Sequence, residues 1–361
     1  MKALIVGNAN RKLDNISAAQ LYPFFQERQK LQRQLGLQFK HIQAETFSDI
    51  SQACKNTTAD IIFIRPSWRE DPSEAEKVLA EVRKNNPNQK LIFLDPFDQT
   101  ASRYFNVLPY VDWFLKYQRL KDVSQYRQKF IGGVMFTDYL ARELNYDLQG
   151  WHVGSEVPEG YEHRIATGWN FATAKRFRKA LRGSLLSKFR PPTKKTIDIF
   201  CRLSFGSPGK LEWYGQYRLA AVKMLEALAS EYNLAVDMSP EAARKISNKQ
   251  YVYEIKHSRI VFAPFGWGEV TWRDYEAACH DCLLIKPSIE HVDTNPNIFV
   301  AGETYVPTEL NLSDVEEKFR YYLEHPEEAT RIAANARSAY NAYFEQGEFI
   351  KTIQHVISDN N

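Results

Sequence analysis

Short apolar runs alternate with amphipathic stretches through the first half of the chain. The runs are five or six residues long and rich in Ile, Leu, Val and Phe, which is typical of buried strands. They are Lys2–Val6, Leu37–Ile42, Asp60–Ile64, Lys90–Leu94 and Val111–Leu115. Segments of helical period separate them, around Ser17–Gln34, Ser73–Asn85 and Lys121–Lys129. Strands that alternate with helices predict a parallel sheet covered by helices on both faces.

The same alternation starts again in the second half, after a break. The pattern lapses near Gly150–Tyr161, and Pro191 and Pro192 then interrupt the chain. Two adjacent prolines fit neither a helix interior nor a central strand, so they predict a domain boundary. Further strands are predicted at Thr196–Leu203, Leu234–Met238, Arg259–Ala263 and Cys282–Lys286. The chain therefore contains two consecutive α/β units of similar size.

Composition agrees with this organisation and excludes several classes of protein. The 361 residues are 44% hydrophobic and 25% charged, as in ordinary globular proteins, and the length fits two domains. A formal net charge of +3 is too small to predict nucleic-acid binding. The run Met1–Gly7 is too short for a signal peptide, and nothing approaches the ~20 apolar residues of a membrane span. We expect a cytoplasmic protein.

The four cysteines are too few and too scattered for a disulfide framework. Cys279 and Cys282 have the spacing of half a zinc site, but no second ligand pair is evident in the sequence. We therefore expect buried thiols and no metal site.

The most informative stretch is a loop between a strand and a helix in the second unit. Gly266 and Gly268 would let the backbone approach a ligand closely, and the helix that follows offers free N–H groups to a phosphate. Arg273 and Glu276 share one face of that helix. An arginine can pair with a phosphate and a carboxylate can accept from ribose hydroxyls. An ordinary loop with a surface Arg–Glu pair is the alternative.

A second basic loop follows the first strand of this unit. Arg202 and Lys210 flank a Gly-rich segment that suits a leaving diphosphate, although a solvated basic loop has the same composition. Leu211 excludes a P-loop, which requires Ser or Thr after the lysine. Arg218, inside the next helix, is a weaker candidate.

The order of strand, Gly loop, Arg273-x-x-Glu276-Ala and strand resembles the donor-binding region of GT-B glycosyltransferases. The similarity is to group-1, CgeB-like proteins and more distantly to exostosin-like transferases. It covers the last third of the chain, through Phe299–Tyr305 and the capped helix at Ser313, while the first half matches only in general architecture. The resemblance implies two Rossmann-like domains facing across a cleft, here residues 1–188 and 189–345. It also implies that a helix in 346–361 packs back on the first domain.

The resemblance also assigns roles at the donor site. Glu276 would contact the donor ribose, and Arg273 and the Gly266–Gly268 loop would lie near the diphosphate. We include Glu269 in the donor set, although six residues separate it from Glu276 where retaining families have seven.

Polar loops of the first unit supply the remaining candidates. For acceptor binding these are Asn8, Arg11 and Trp68. For the general base that an inverting transfer needs they are Asp98, Asp95 and Asp14, in that order. An aspartate after a strand can equally be a turn or helix cap. The 13% aromatic content could reflect a sugar-binding surface, but core packing is the favoured explanation.

We therefore predict a metal-independent glycosyltransferase that uses a nucleotide-diphosphate sugar and a glycan, lipid-linked or small-molecule acceptor, with no cofactor. No Asp-x-Asp motif occurs in the sequence. A sugar-nucleotide epimerase, a phosphotransferase and a non-catalytic binding protein remain as alternatives. Residues 175–195 hold nine Lys or Arg and no acid. This stretch could contact an anionic membrane face, or could be a solvated linker helix, which we favour.

Overall fold

Strands and helices alternate in the computed structural model, which describes residues 1–182, 193–206, 211–237 and 246–358. The strands are β1 (Lys2–Gly7), β2 (Gln38–Ile42), β3 (Ile61–Arg65), β4 (Lys90–Leu94), β5 (Trp113–Lys116), β6 (Gln118–Leu120), β7 (Ile165–Thr167), β8 (Ile197–Cys201), β9 (Leu234–Val236), β10 (Ser258–Phe262), β11 (Leu283–Pro287), β12 (Val292–Thr294) and β13 (Val306–Thr308). The α-helices are α1 (Asn15–Gln26), α2 (Arg28–Leu35), α3 (Phe47–Lys55), α4 (Pro72–Asn85), α5 (Met135–Arg142), α6 (Lys175–Arg182), α7 (Trp213–Glu226), α8 (Asn248–Lys256), α9 (Trp272–Cys279), α10 (Val315–Glu324), α11 (Pro326–Glu345) and α12 (Glu348–Ser358).

Six parallel strands form the first sheet, in the order β2-β1-β3-β4-β5-β7. Every residue of β3 is buried, as is every residue of β1 after Lys2 and of β4 after Lys90. Such continuous apolar strands need cover on both faces, which the helices supply. The carboxyl ends of these strands carry the loops in which the sequence places its aspartate candidates.

Five parallel strands form the second sheet, in the order β13-β11-β10-β8-β9. The predicted α/β class, with two Rossmann-like domains facing across a cleft, is confirmed. The predicted boundary between residues 188 and 189 lies outside the described residues, as do Pro191 and Pro192, so the exact division stays a prediction.

Two further elements hold the halves together. Strand β6, from the first half of the chain, pairs antiparallel with β12, from the second half. Arg119 and Asp293 form an ion pair at 3.2 Å across this pair of strands. Helix α12 returns to the first sheet, where Phe349 packs edge-to-face on Phe24 and Trp169 at ring-centroid distances of 5.4 and 4.8 Å. The last helix therefore contributes to the core of the first domain.

The secondary-structure prediction for Lys121–Lys129 is wrong. Only Val123–Arg127 is helical there, as a 3₁₀ turn that Asp122 begins by accepting from the Ser124 N–H at 3.0 Å. No side chain of that turn is buried, so no apolar face is available to stabilise a longer helix. Among the described residues no helix has both the length and the apolar character needed to cross a bilayer.

Candidate functional site

A cavity of about 320 Å³ lies where the two domains meet, at the carboxyl ends of their strands; we call it the cleft cavity. The first domain contributes Asp98, and Phe171 follows β7. The second domain contributes Tyr214, Arg218, Tyr251, Trp267, Gly268, Val270, Thr271, Trp272 and Arg273. A ligand-sized space at this edge is the expected binding position in open α/β sheets.

The two glycines of the loop after β10 are required by close neighbours. A Cβ on Gly268 would lie 2.3 Å from the carbonyl oxygen of Asp98 in the first domain. A Cβ on Gly266 would lie 2.0 Å from a guanidinium nitrogen of Arg218. Glycine therefore lets this loop contact the opposite domain and makes room for an arginine head beside the cavity.

Two arginines present positive charge to the cleft cavity. Arg218 donates to the carbonyl oxygens of Phe265 at 3.1 Å and Ser204 at 2.8 Å, and Arg273 donates to the carbonyl oxygen of Arg202. The Nε atom of Arg273 is buried and has no hydrogen-bond partner among the described residues. Burial and the charge of Arg273 lower the pKa of Arg218 to about 10, so both groups remain cations at neutral pH.

In the described part of the chain no carboxylate forms an ion pair with Arg218 or Arg273, although Asp98 lies near enough for its charge to interact with that of Arg218. The charges of Glu276 and Asp274 act on Arg273. Glu276 is paired with Arg176 at 3.0 Å, and Asp274 is paired with Lys286 at 2.5 Å. Two adjacent, half-buried cations without an ion-pair partner among the described residues favour an anionic ligand.

Arg202, a predicted donor-binding residue, has a different environment. Its guanidinium donates to both carboxylate oxygens of Glu254 at 2.9 Å and to Asp237 at 2.7 Å. It does not line the cleft cavity, and its donors are engaged in these ion pairs. The structure thus gives Arg202 a stabilising position and offers its main-chain carbonyl to Arg273. Lys210, its predicted companion, lies outside the described residues.

Glu276 lies beside the cleft cavity but does not line it. Its carboxylate accepts from the Tyr251 hydroxyl at 2.8 Å and pairs with Arg176, and burial raises its pKa. Arg176 in turn stacks over the Trp272 ring at 4.1 Å. Tyr251 and Arg176 each contact one oxygen of the carboxylate, so a ribose hydroxyl would share Glu276 with them.

Of the three predicted base candidates, Asp98 alone lines the cleft cavity. Burial raises its pKa to about 6, against the opposing charges of Lys116 and Arg218. Asp95 is fully buried, ion-paired with Lys116 and hydrogen-bonded by Ser102 at 2.7 Å. Asp14 caps α1 by accepting from the N–H groups of Ile16 and Ser17, both at 2.9 Å.

Glu269 lies behind the glycine loop, at the contact between domains. Its side chain is 2% exposed and accepts from Gln118 of the first domain at 3.2 Å. Burial, reinforced by the charge of Asp98, raises the pKa of Glu269 to about 7. Glu269 therefore joins the two domains and does not face the cleft cavity.

The predicted acceptor residues lie in the loops after the neighbouring strands β1 and β3, and none of them lines the cleft cavity. Trp68, 36% exposed, packs edge-to-face on Trp267, 38% exposed, at 6.2 Å between ring centroids, so the two domains meet in an aromatic rim. Arg11 is exposed. Asn8 is buried and its side chain accepts from Gln43 at 2.7 Å and from the Asn10 N–H at 2.8 Å, which suits a loop-stabilising role.

The sequence pattern favours Arg202 and Lys210 over Arg218, and it does not single out Trp267 or Tyr251. The available signal for Arg218 was its position one turn after Tyr214 on α7, which places both side chains on one face. Among the described residues no group of three His, Cys, Asp or Glu side chains is arranged to hold a metal ion.

Comparisons with known proteins bear on the fold and on the second half of the chain. A family model described as "Glycosyl transferase-like" matches residues 217–353, which include Arg218, Arg273 and Glu276. The fold is similar to that of sucrose-phosphate synthase from Thermosynechococcus elongatus, with a TM-score of 0.52, 11% identity and coverage of 99% of this chain and 98% of that one. It is also similar to a glycosyltransferase from Rickettsia africae ESF-5, with a TM-score of 0.54, 13% identity and 99% coverage of both chains. No curated protein sequence matches this chain.

These findings establish the GT-B fold and a glycosyltransferase-like domain in the second half of the chain.

Proposed function

We propose that this protein is a metal-independent glycosyltransferase that moves a sugar from a nucleotide-diphosphate sugar to a hydroxyl acceptor. The observation that carries the proposal is the Arg218–Arg273 pair, two cations without a dedicated carboxylate at a cavity between GT-B domains. A diphosphate supplies the missing negative charge, and guanidinium groups bind phosphate oxygens through directed hydrogen bonds.

The arginine pair would act on the leaving group. The acceptor oxygen bonds to the anomeric carbon while the bond from that carbon to the diphosphate oxygen breaks, and the diphosphate keeps the bonding electrons. Arg218 and Arg273 stabilise the charge that develops on the diphosphate. Hydrogen bonds to backbone carbonyl oxygens already position both guanidinium groups, so these side chains need to move little during the reaction.

Asp98 would act from the opposite wall of the cavity. In an inverting transfer its carboxylate accepts the proton of the acceptor hydroxyl. A pKa of about 6 leaves most of the carboxylate ionised at pH 7 and keeps its basicity higher than that of an exposed aspartate. The buried Lys116–Asp95 pair lies beneath Asp98 and helps to position the loop.

The remaining roles follow the resemblance to CgeB-like transferases of hexose or pentose units. Glu276 would contact the donor ribose after rearrangement of Arg176, while Trp68 and Trp267 would bind a glycan or glycolipid acceptor at the cavity mouth. Aromatic faces offer apolar area to the C–H groups of a sugar ring. We propose a cytoplasmic location; any peripheral contact with a membrane face would involve residues 175–195, of which 183–192 lie outside the described residues.

Turnover of nucleotide sugars tests the proposal. The full chain is incubated with UDP-, ADP-, GDP-, CDP- and TDP-sugars in EDTA, with and without glycan acceptors, and nucleoside diphosphate is measured. A transferase releases nucleoside diphosphate slowly and faster with acceptor. Interconversion of two nucleotide sugars without release would identify an epimerase, and binding without turnover would identify a binding protein; either result would overturn the proposal. Arg33→Ala, an exposed change on α2, is the matched control for Arg218→Ala.

A further inference from the structure

A second cavity, of about 830 Å³, lies at the amino ends of β8, β10 and β11. Strand residues near those ends line it: Asp198 in β8, Arg259 in β10 and Leu283 in β11. Because the cleft cavity lies at the carboxyl ends of the same sheet, this second space faces away from it. We call it the far cavity.

Positive charge predominates in the far cavity. Its lining includes four cations, Lys195, Lys256, Arg259 and Arg337, against the two carboxylates of Asp198 and Asp281. The excess of two positive charges compares with a formal charge of +3 for the whole chain. The lining of the far cavity is therefore locally basic in a chain whose charges nearly balance.

Backbone carbonyls fix most of these cations in place. Lys195 donates to the carbonyl oxygen of His280 at 2.6 Å, and Arg259 donates to that of Leu323 at 2.6 Å. Arg337 donates to the carbonyl oxygens of Cys279 at 2.6 Å and Leu181 at 2.9 Å. Carbonyl acceptors hold the cationic groups in position while cancelling only part of their charge.

Lys256 adds a further positive charge to the far cavity, and the pKa of His280 is lowered by the surrounding cations. Lys256 is exposed, and no carboxylate in the described part of the chain forms an ion pair with it. Burial, together with the charges of Lys256, Lys195 and Arg337, lowers the pKa of His280 to about 4. A neutral imidazole at this position can donate one hydrogen bond to an anion.

The basic surface continues onto α6. Lys175, Lys179 and Arg182 are exposed and recur at helical spacing, so they share one face, while Phe177 and Leu181 are buried on the other. Ala180 of the same helix lines the far cavity. We call the three cations the α6 basic face.

We propose that the far cavity binds a phosphate group, and that the α6 basic face binds further negative charges of the same ligand. The ligand class is a phosphomonoester or phosphodiester anion, free in solution or in a lipid headgroup. This site is separate from the Arg218–Arg273 pair and does not depend on the proposed transfer reaction.

Charge reversal tests the site in the full chain. The probes are inorganic phosphate, followed by thermal shift, and sedimented vesicles of phosphatidylcholine with or without phosphatidylglycerol. Lys179→Glu/Lys256→Glu changes two exposed residues, one on each part of the surface, and Lys84→Glu on α4 is the exposed matched control. Near an anionic surface each charge matters appreciably, so the double variant should bind at least about tenfold more weakly.

The outcomes distinguish a lipid headgroup from a soluble phosphate ligand, and they test the far cavity independently of the cleft cavity. Loss of both phosphate and phosphatidylglycerol binding in the double variant supports a lipid headgroup, and loss of phosphate binding alone supports a soluble ligand. If the wild type binds neither probe, or if Lys84→Glu weakens binding equally, the far cavity is not a phosphate site. Nucleoside diphosphate binding, measured in parallel, should be unchanged in Lys179→Glu/Lys256→Glu, so failure here is distinguishable from failure of the cleft assignment.

Discussion

The two ends of the second sheet both gather positive charge, but they hold it differently. At the cleft cavity two half-buried guanidinium groups and several aromatic rings surround about 320 Å³. At the far cavity the cations surround about 830 Å³, two of them pair with Asp198 and Asp281, and Lys256 is exposed. The first arrangement suits one desolvated ligand in a fixed orientation, and the second suits a hydrated anion.

The largest expected effect belongs to the wall opposite the arginines. Asp98→Asn keeps the shape of the side chain but removes the base, so the transfer rate should fall about 10²–10⁴-fold. The wild-type rate should rise with pH and level off above about pH 6, because the carboxylate must be ionised to accept a proton. Steady-state kinetics from pH 5 to 8 measure both effects.

Affinity for nucleoside diphosphate should be unchanged in Asp98→Asn. An equal loss of affinity and rate would show that Asp98 supports the cavity and does not act as the base.

Substitutions at Arg202 and Arg218 compare an arginine that forms ion pairs with one that forms none in the described part of the chain. Arg202→Ala removes the cationic partner of Glu254 and Asp237 and should lower the free energy of unfolding by about 2–4 kcal/mol. Its effect on nucleoside diphosphate affinity should be less than about threefold. Arg218→Ala should instead weaken that affinity about 10–100-fold at nearly unchanged stability. Denaturant unfolding and calorimetry measure the two quantities, and exchanged results would reverse the assignment.

The salt dependence of ligand binding should differ between the cleft cavity and the far cavity. Because exposed charges such as Lys256 and the α6 basic face are screened more than half-buried ones, raising NaCl from about 50 to 500 mM should weaken vesicle or phosphate binding at the far cavity about tenfold. Nucleoside diphosphate binding at the cleft cavity should weaken by no more than about threefold. Equal salt dependence at both ends would contradict the distinction drawn from burial.

The smallest expected effect concerns Glu269. Its folded pKa of about 7 lies above the ordinary value, so the folded protein binds this proton more tightly than the unfolded chain, and stability falls as pH rises from about 4.5 to 7. In Glu269→Gln the difference in unfolding free energy between pH 5 and pH 7 should shrink by about 1–2 kcal/mol. An unchanged pH dependence would mean that Glu269 is ionised in the folded protein.

The fold could be read from the sequence because local patterns decide it. Buried strands such as β3 and β4 are apolar throughout, and the glycine loop before α9 follows directly from such a strand. The family resemblance of that loop predicts donor contacts by Gly268 and Arg273, and both residues line the cleft cavity.

The site could be predicted only in part, because long-range pairing decides which charges remain available. Arg202 looks like Arg218 in sequence, but its partners Asp237 and Glu254 lie 35 and 52 residues away. Nothing local shows that Gly266 makes room for Arg218, or that Arg176 covers Glu276. Sequence also does not show which aromatic residues are in the core. Phe24 and Trp169 pack there, whereas Trp68 and Trp267 meet at the contact between the domains.

Calorimetric titration of the arginine pair tests the central claim most directly. The nucleoside diphosphate among UDP, ADP, GDP, CDP and TDP that most stabilises the wild type is titrated in EDTA into wild type, Arg218→Ala/Arg273→Ala and Arg33→Ala. The account predicts that the double variant loses at least about 100-fold in affinity while Arg33→Ala binds like wild type. Wild-type affinity in Arg218→Ala/Arg273→Ala would contradict it.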